Sequence, residues 1–105
     1  MHLADLGNLL KTVLPDTFHY KAFKKPDKYI VWAEDGEADS SNADDTKTDQ
    51  VIQGTIDYFT KTEFDSNFEL IQDKLNSVEI AWRLNSIQHE EETGYIHYEW
   101  IFEVL

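Results

Sequence analysis

The chain reads as an α+β domain: a mostly antiparallel sheet of four to five strands with two helices packed on one face. Three stretches carry that reading. A leucine stripe opens the chain, residues 51–76 switch from a two-residue to a helical period, and the stretch from Val78 onward alternates like a hairpin. Helices segregated on one side of an antiparallel sheet are the stable way to cover such elements.

Taken in order, Leu3, Leu6, Leu9, Leu10, Val13 and Leu14 lie on one side of a helix that Pro15 ends. Asp5 sits early and Lys11 late, as the helix dipole favours. Thr17–Tyr20 reads as a short strand. Lys21–Lys28 is a basic island holding Lys21, Lys24, Lys25 and Lys28, four of the nine positive charges, with Pro26 marking a turn or an edge. Tyr29–Glu34 reads as a strand. Gly36–Lys47 is polar and acidic with no apolar residue larger than alanine, which predicts a loop.

From Val51 to Thr60 the chain is β-branched and aromatic. Ile52, Ile56 and Tyr58 fall on one face, and Gln53, Thr55 and Asp57 on the other, as in a half-buried strand. The turn Lys61–Asp65 leads into a helix over Ser66–Asn76, whose apolar side is Phe64, Phe68, Ile71 and Leu75. Ser66-Asn67-Phe68-Glu69 has the form of a capping box, with Ser66 at the cap. Val78, Ile80, Trp82 and Leu84 then alternate with polar residues, as do Ile96, Tyr98, Trp100, Phe102 and Val104. Gln88–Gly94 joins them as a turn. Trp82 and Trp100 are expected beneath the second helix, against Phe68, Ile71 or Leu75.

At 105 residues the chain is read as one domain, 1–105, without internal repeats. An apolar fraction of 41 %, with three Trp, five Tyr and six Phe, supplies a core. The absence of cysteine removes disulfides, thiolate metal sites and thiol nucleophiles together. No apolar run approaches the roughly 20 residues of a membrane span. Asp5 stands where a signal peptide has its basic region, so MHLADLGNLL is read as mature sequence. A net charge of −12 argues against binding nucleic acid by neutralising its phosphates.

No residue pattern indicates catalysis. Gly7, Gly36, Gly54 and Gly94 form no phosphate-cradling loop, and no nucleophile stands beside a base. His89 and His97 could approach one another across the hairpin beside Glu90–Glu92, so a weak metal site can be drawn, but a metal site needs several ligands at fixed geometry, and these are read as solvated hairpin residues. The acidic run of Glu34, Asp35, Glu37, Asp39, Asp44, Asp45 and Asp49 lacks the ligand spacing and closing Glu of a calcium loop. No cofactor and no metal are assigned.

The N-terminal helix LADLGNLLKTVL, the strand KYIVWAEDGE with its polar insert, the segment TIDYFTKTEFDSNFELIQDKL and the closing hairpin EIAWRLNSIQ–YIHYEWIFEVL resemble, in texture and order, the small tail-completion proteins of long-tailed bacteriophages. Within that group the chain is most similar to tail terminators and minor tail proteins. The resemblance implies a non-enzymatic structural protein of a phage or prophage. Such subunits form a homo-oligomeric ring, usually a hexamer, that caps the tail tube and mediates head–tail joining.

Its implied partners are further copies of itself, the tail tube protein and a head-completion or connector protein. DNA passes through the lumen without specific binding, no membrane is involved, and the setting is the virion tail near the head–tail junction, reached from the host cytoplasm. The acidic segment becomes the candidate lumen-facing or assembly loop, since an acidic lining repels phosphates. The basic island becomes the candidate subunit contact, its other reading being a solvated turn. Two alternatives stand beside this: another connector or completion role on the same fold, and an acidic DNA-mimic inhibitor of a DNA-binding enzyme.

Overall fold

A computed structural model describes residues 1–38 and 50–105. Its elements run α1 (Ala4–Lys11), β1 (Thr17–His19), β2 (Lys28–Glu37), β3 (Ile52–Thr60), α2 (Ser66–Asn76), β4 (Ala81–His89) and β5 (Ile96–Val104). The strands form one sheet in the order β1-β2-β3-β5-β4. β1 is parallel to β2, and every other pairing is antiparallel. This is the expected α+β class.

The strand register sorts side chains into rows that cross four strands. Ile30, Tyr58, Tyr98 and Ile87 share one row, and Trp32, Ile56, Trp100 and Leu84 the next. These rows face the helices. Leu6 and Leu10 of α1 and Ile71 and Leu75 of α2 join them in a single buried cluster, so both helices cover the same face. Trp100 is fully buried, stacks on Phe68 with ring centroids 5.6 Å apart, and donates its indole N–H to Gln72 Oε1 at 3.1 Å.

Two glycines let backbones close on this core. A Cβ on Gly7 would stand 3.0 Å from the Trp32 ring, so α1 rests directly on that indole. A Cβ on Gly54 would lie 2.1 Å from the Ala33 carbonyl oxygen and 2.6 Å from the Phe102 ring. Only a residue without a side chain fits at the crossing of β2, β3 and β5.

Several expectations are corrected. β2 continues to Glu37, past the Glu34 end read from the sequence, by way of a bulge between Glu34 and Gly36. Gly36 and Glu37 pair with Gln53 and Ile52, so they are strand rather than loop. α1 ends at Lys11, short of Pro15, where the Thr12 hydroxyl donates to the Leu9 carbonyl. β4 begins at Ala81 rather than Val78.

The cap of α2 is Asp65, not Ser66, and its carboxylate accepts from the Asn67 amide at 2.9 Å. Asp65 is preferred because the neighbouring strands supply further donors: Tyr58 Oη and Thr60 Oγ1 of β3, each at 2.6 Å, and Lys28 Nζ of β2 at 3.2 Å. Phe64 does not join the apolar side of α2. It has a left-handed backbone (φ 53°) and is 97 % exposed. Trp82 is only half-buried. It packs at the core margin and donates to Asn76 Oδ1 at 3.0 Å, because α2 lies over β5 and stops short of covering β4.

Candidate functional site

Among the described residues β4 is an edge strand, paired with β5 alone, and so presents main-chain donors and acceptors along its outer side. Its core-facing residues Leu84 and Ile87 lie beyond the reach of α2 and are 36 % and 56 % exposed. Phe64, Ile87, Ile96 and Tyr98 line a shallow apolar depression there, with Glu63, Gln88 and His89 at its rim. Natural edges are blunted by charges and bulges. Here the described strand carries one charged residue, Arg83, and one bulge, between Leu84 and Ser86.

The opposite edge is different in kind. β1 has three residues, and the left-handed Tyr20 (φ 69°) turns the chain out of it. Tyr20 stacks on His19, which stacks on Trp32, each at 3.9 Å. His19 Nε2 lies 2.6 Å from Glu34 Oε1. Partial burial opposes ionisation of Glu34, but the bonds from His19, its own main chain and Tyr20 outweigh it and hold the carboxyl below its usual range. Tyr20 and Phe23 are 60 % and 86 % exposed. Large apolar side chains are therefore presented at both lateral edges of the sheet.

The basic island sits beside β1, with half of it engaged within the chain. Lys24 pairs with Asp16 at 3.0 Å and Lys28 with Asp65 at 3.2 Å. Lys21 and Lys25 line a groove on the face away from the helices, with Tyr29 and Phe59. The Tyr95 hydroxyl anchors this segment by donating to the Lys25 and Pro26 carbonyls at 3.0 and 2.7 Å.

Of the acidic candidates, Glu34, Asp35 and Glu37 lie on the last part of β2, and Glu37 accepts from Gln50 Nε2 at 3.2 Å. Asp39, Asp44, Asp45 and Asp49, with most of the Gly36–Lys47 segment, lie outside the described residues.

His89 and His97 do not converge. His89 pairs with Ile96 and His97 with Gln88, which puts the two imidazoles on opposite faces. His97 instead lies 2.6 Å from Asp57 Oδ1 on β3. That bond outweighs the cost of partial burial and, with nearby Glu90 and Glu99, holds the imidazole above its ordinary pKa. The sequence reading missed this pair because it looked within the hairpin, whereas β3 inserts next to β5 from the other side. It also missed the β4 surface: alternation marked Leu84 as a core residue, but nothing local shows that a strand will be at an edge.

No protein-family model matches the chain, and no curated protein matches it in sequence. Among the described residues, no helix is long and apolar enough to cross a membrane.

Proposed function

We propose that the chain is a non-enzymatic structural subunit of phage or prophage tail assembly. In this reading it acts as a tail terminator, forming a ring on the last tube ring and joining tail to head. The observation that supports it best is the pair of unlike lateral edges, each with large exposed apolar side chains. A head-to-tail ring needs two different surfaces on each subunit that fit one another, and closure follows from the rotation between neighbours. Leu84, Ile87 and Phe64 on one edge and Tyr20 and Phe23 on the other offer such surfaces. The outer main chain of β4 adds the means for strand-to-strand pairing.

The second reading, an acidic DNA mimic, draws support from Glu34, Asp35 and Glu37. They stand on a strand rather than in a loop, and a mimic needs carboxylates at fixed spacing. The two readings part in one experiment. Tail tubes assembled from the tube protein of the same genome are mixed with the purified chain and viewed by negative-stain electron microscopy. The terminator reading expects an added ring of density at one tube end and no further tube growth. Unchanged ends that continue to elongate overturn it.

A further inference from the structure

The sheet face away from the helices carries its own register of rows. Tyr29, Phe59 and His97 form one row across β2, β3 and β5, and Val31, Asp57 and Glu99 the next. In the first row Phe59 stacks on Tyr29 at 4.6 Å and on His97 at 4.2 Å, so the imidazole is held flat against a fixed aromatic neighbour. In the second row Asp57 and Glu99 are direct cross-strand partners. Two carboxylates so placed repel one another and destabilise the pairing unless a cation balances them. His97 Nε2 lies 2.6 Å from Asp57 Oδ1, and Glu90 Oε2 lies 3.8 Å from His97 Nδ1. Three carboxylates thus gather around one imidazole, in a groove that Lys21 and Lys25 also line.

We propose that Asp57, His97 and Glu99 form a binding site for a first-row divalent cation of the zinc class. Among the described residues they are the one set of three whose ligand atoms all lie within 4.8 Å of one another. Ligands at about 2.1 Å from a tetrahedral ion stand about 3.4 Å apart. The present separations, 2.6 Å between His97 and Asp57 and 4.8 Å at most within the set, bracket that spacing.

One imidazole and two carboxylates suit zinc, cobalt or nickel ahead of magnesium and calcium, which prefer oxygen alone. The ion would take the place of the proton shared between His97 and Asp57 and would neutralise the two carboxylates. Asn85 Nδ2 donates to Glu99 Oε1 at 2.8 Å and would orient that ligand from outside the coordination sphere. The fourth position opens to solvent, where water or a partner's side chain completes the shell.

The test is titration calorimetry of the full chain, stripped of metal, with Zn²⁺, Co²⁺ and Mg²⁺. A histidine ring ¹H–¹⁵N correlation spectrum is recorded at each end point. The proposal expects one Zn²⁺ per chain, selective shifts of the His97 ring nitrogens, and no comparable response to Mg²⁺. Glu99→Gln, nearly isosteric at a half-exposed position, should weaken binding on the order of ten-fold or more, and His97→Gln should abolish it. His89→Gln should leave it unchanged. Should His97→Gln fail to fold, the Glu99→Gln affinity and the parent's ring shifts still decide. Zinc that shifts His2, His19 or His89 rather than His97, or that binds Glu99→Gln as tightly as the parent, overturns the site.

Discussion

Asp65 is the residue on which the second helix and the central strand meet. It caps α2 and accepts from Tyr58, Thr60, Asn67 and Lys28, with its side chain almost wholly buried. Burial opposes its ionisation, but these donors outweigh that cost and hold the carboxyl below the usual range. Burial and the Asp65 bond together push the Tyr58 hydroxyl up, so it stays a donor at every working pH. Asp65→Asn keeps the shape but turns an amide N–H₂ toward donors. Losing a charged cap and leaving buried hydroxyls poorly matched should cost on the order of 2–3 kcal/mol near neutral pH.

Because the folded pKa of Asp65 lies below the unfolded one, its contribution is present above about pH 4 and is lost as pH falls through the folded value. Urea melts of parent and variant from pH 7 to pH 2.5 should therefore show a gap that closes at the acid end. A gap that stays constant with pH would mean that the Asp65 carboxylate is not the ionised acceptor described.

Among the elements, the β2–β3–β5 crossing is the tightest point. Gly54→Ala would drive a methyl to 2.1 Å from the Ala33 oxygen, where the β2 backbone on one side and the Phe102 ring on the other resist, and should cost about 3 kcal/mol or more. Gly36→Ala, in the same ladder with no atom within 4 Å of its Cβ, should change stability by well under 1 kcal/mol. Thermal melts of the pair measure this directly, and equal melting temperatures would contradict the packing at Gly54.

The elements themselves were legible because periodicity is local. Ile52–Thr60 and Ser66–Asn76 announce their spans in the sequence, and the observed bounds agree to within a residue. What depends on distant partners was not legible. Asp65 displaced Ser66 as cap because Tyr58, Thr60 and Lys28 converge on it from other strands. Gly36 and Glu37 became strand because Gln53 and Ile52 lie opposite them. Asp57 and His97, 40 residues apart, meet only because β5 enters the sheet between β3 and β4.

In the proposed ring, charge and apolar edges would oppose one another. At a formal −12 per chain, six copies would carry −72, six times that value, and repulsion between neighbours would resist closure. The exposed edges would supply the attraction: Phe64, Leu84 and Ile87 at β4, and Tyr20 and Phe23 beside β1. Salt shifts the balance toward association, since the Debye length shrinks from about 10 Å at 0.1 M to about 3 Å at 1 M while apolar contact persists. In an assembling virion the tube end would template all subunits at once and raise their effective concentration.

Sedimentation velocity across a salt series, in the presence of chelator, measures the proposed lateral association through the sheet edges. The parent should be monomeric at low salt and micromolar concentration and should form larger species as salt rises. Ile87→Lys places a charge in the β4 depression at a position that is 56 % exposed, and it should stay monomeric throughout while melting close to the parent. A parent that dissociates as salt rises would show that ion pairs hold the interface. A lysine variant that associates as the parent does would show that β4 is not part of it.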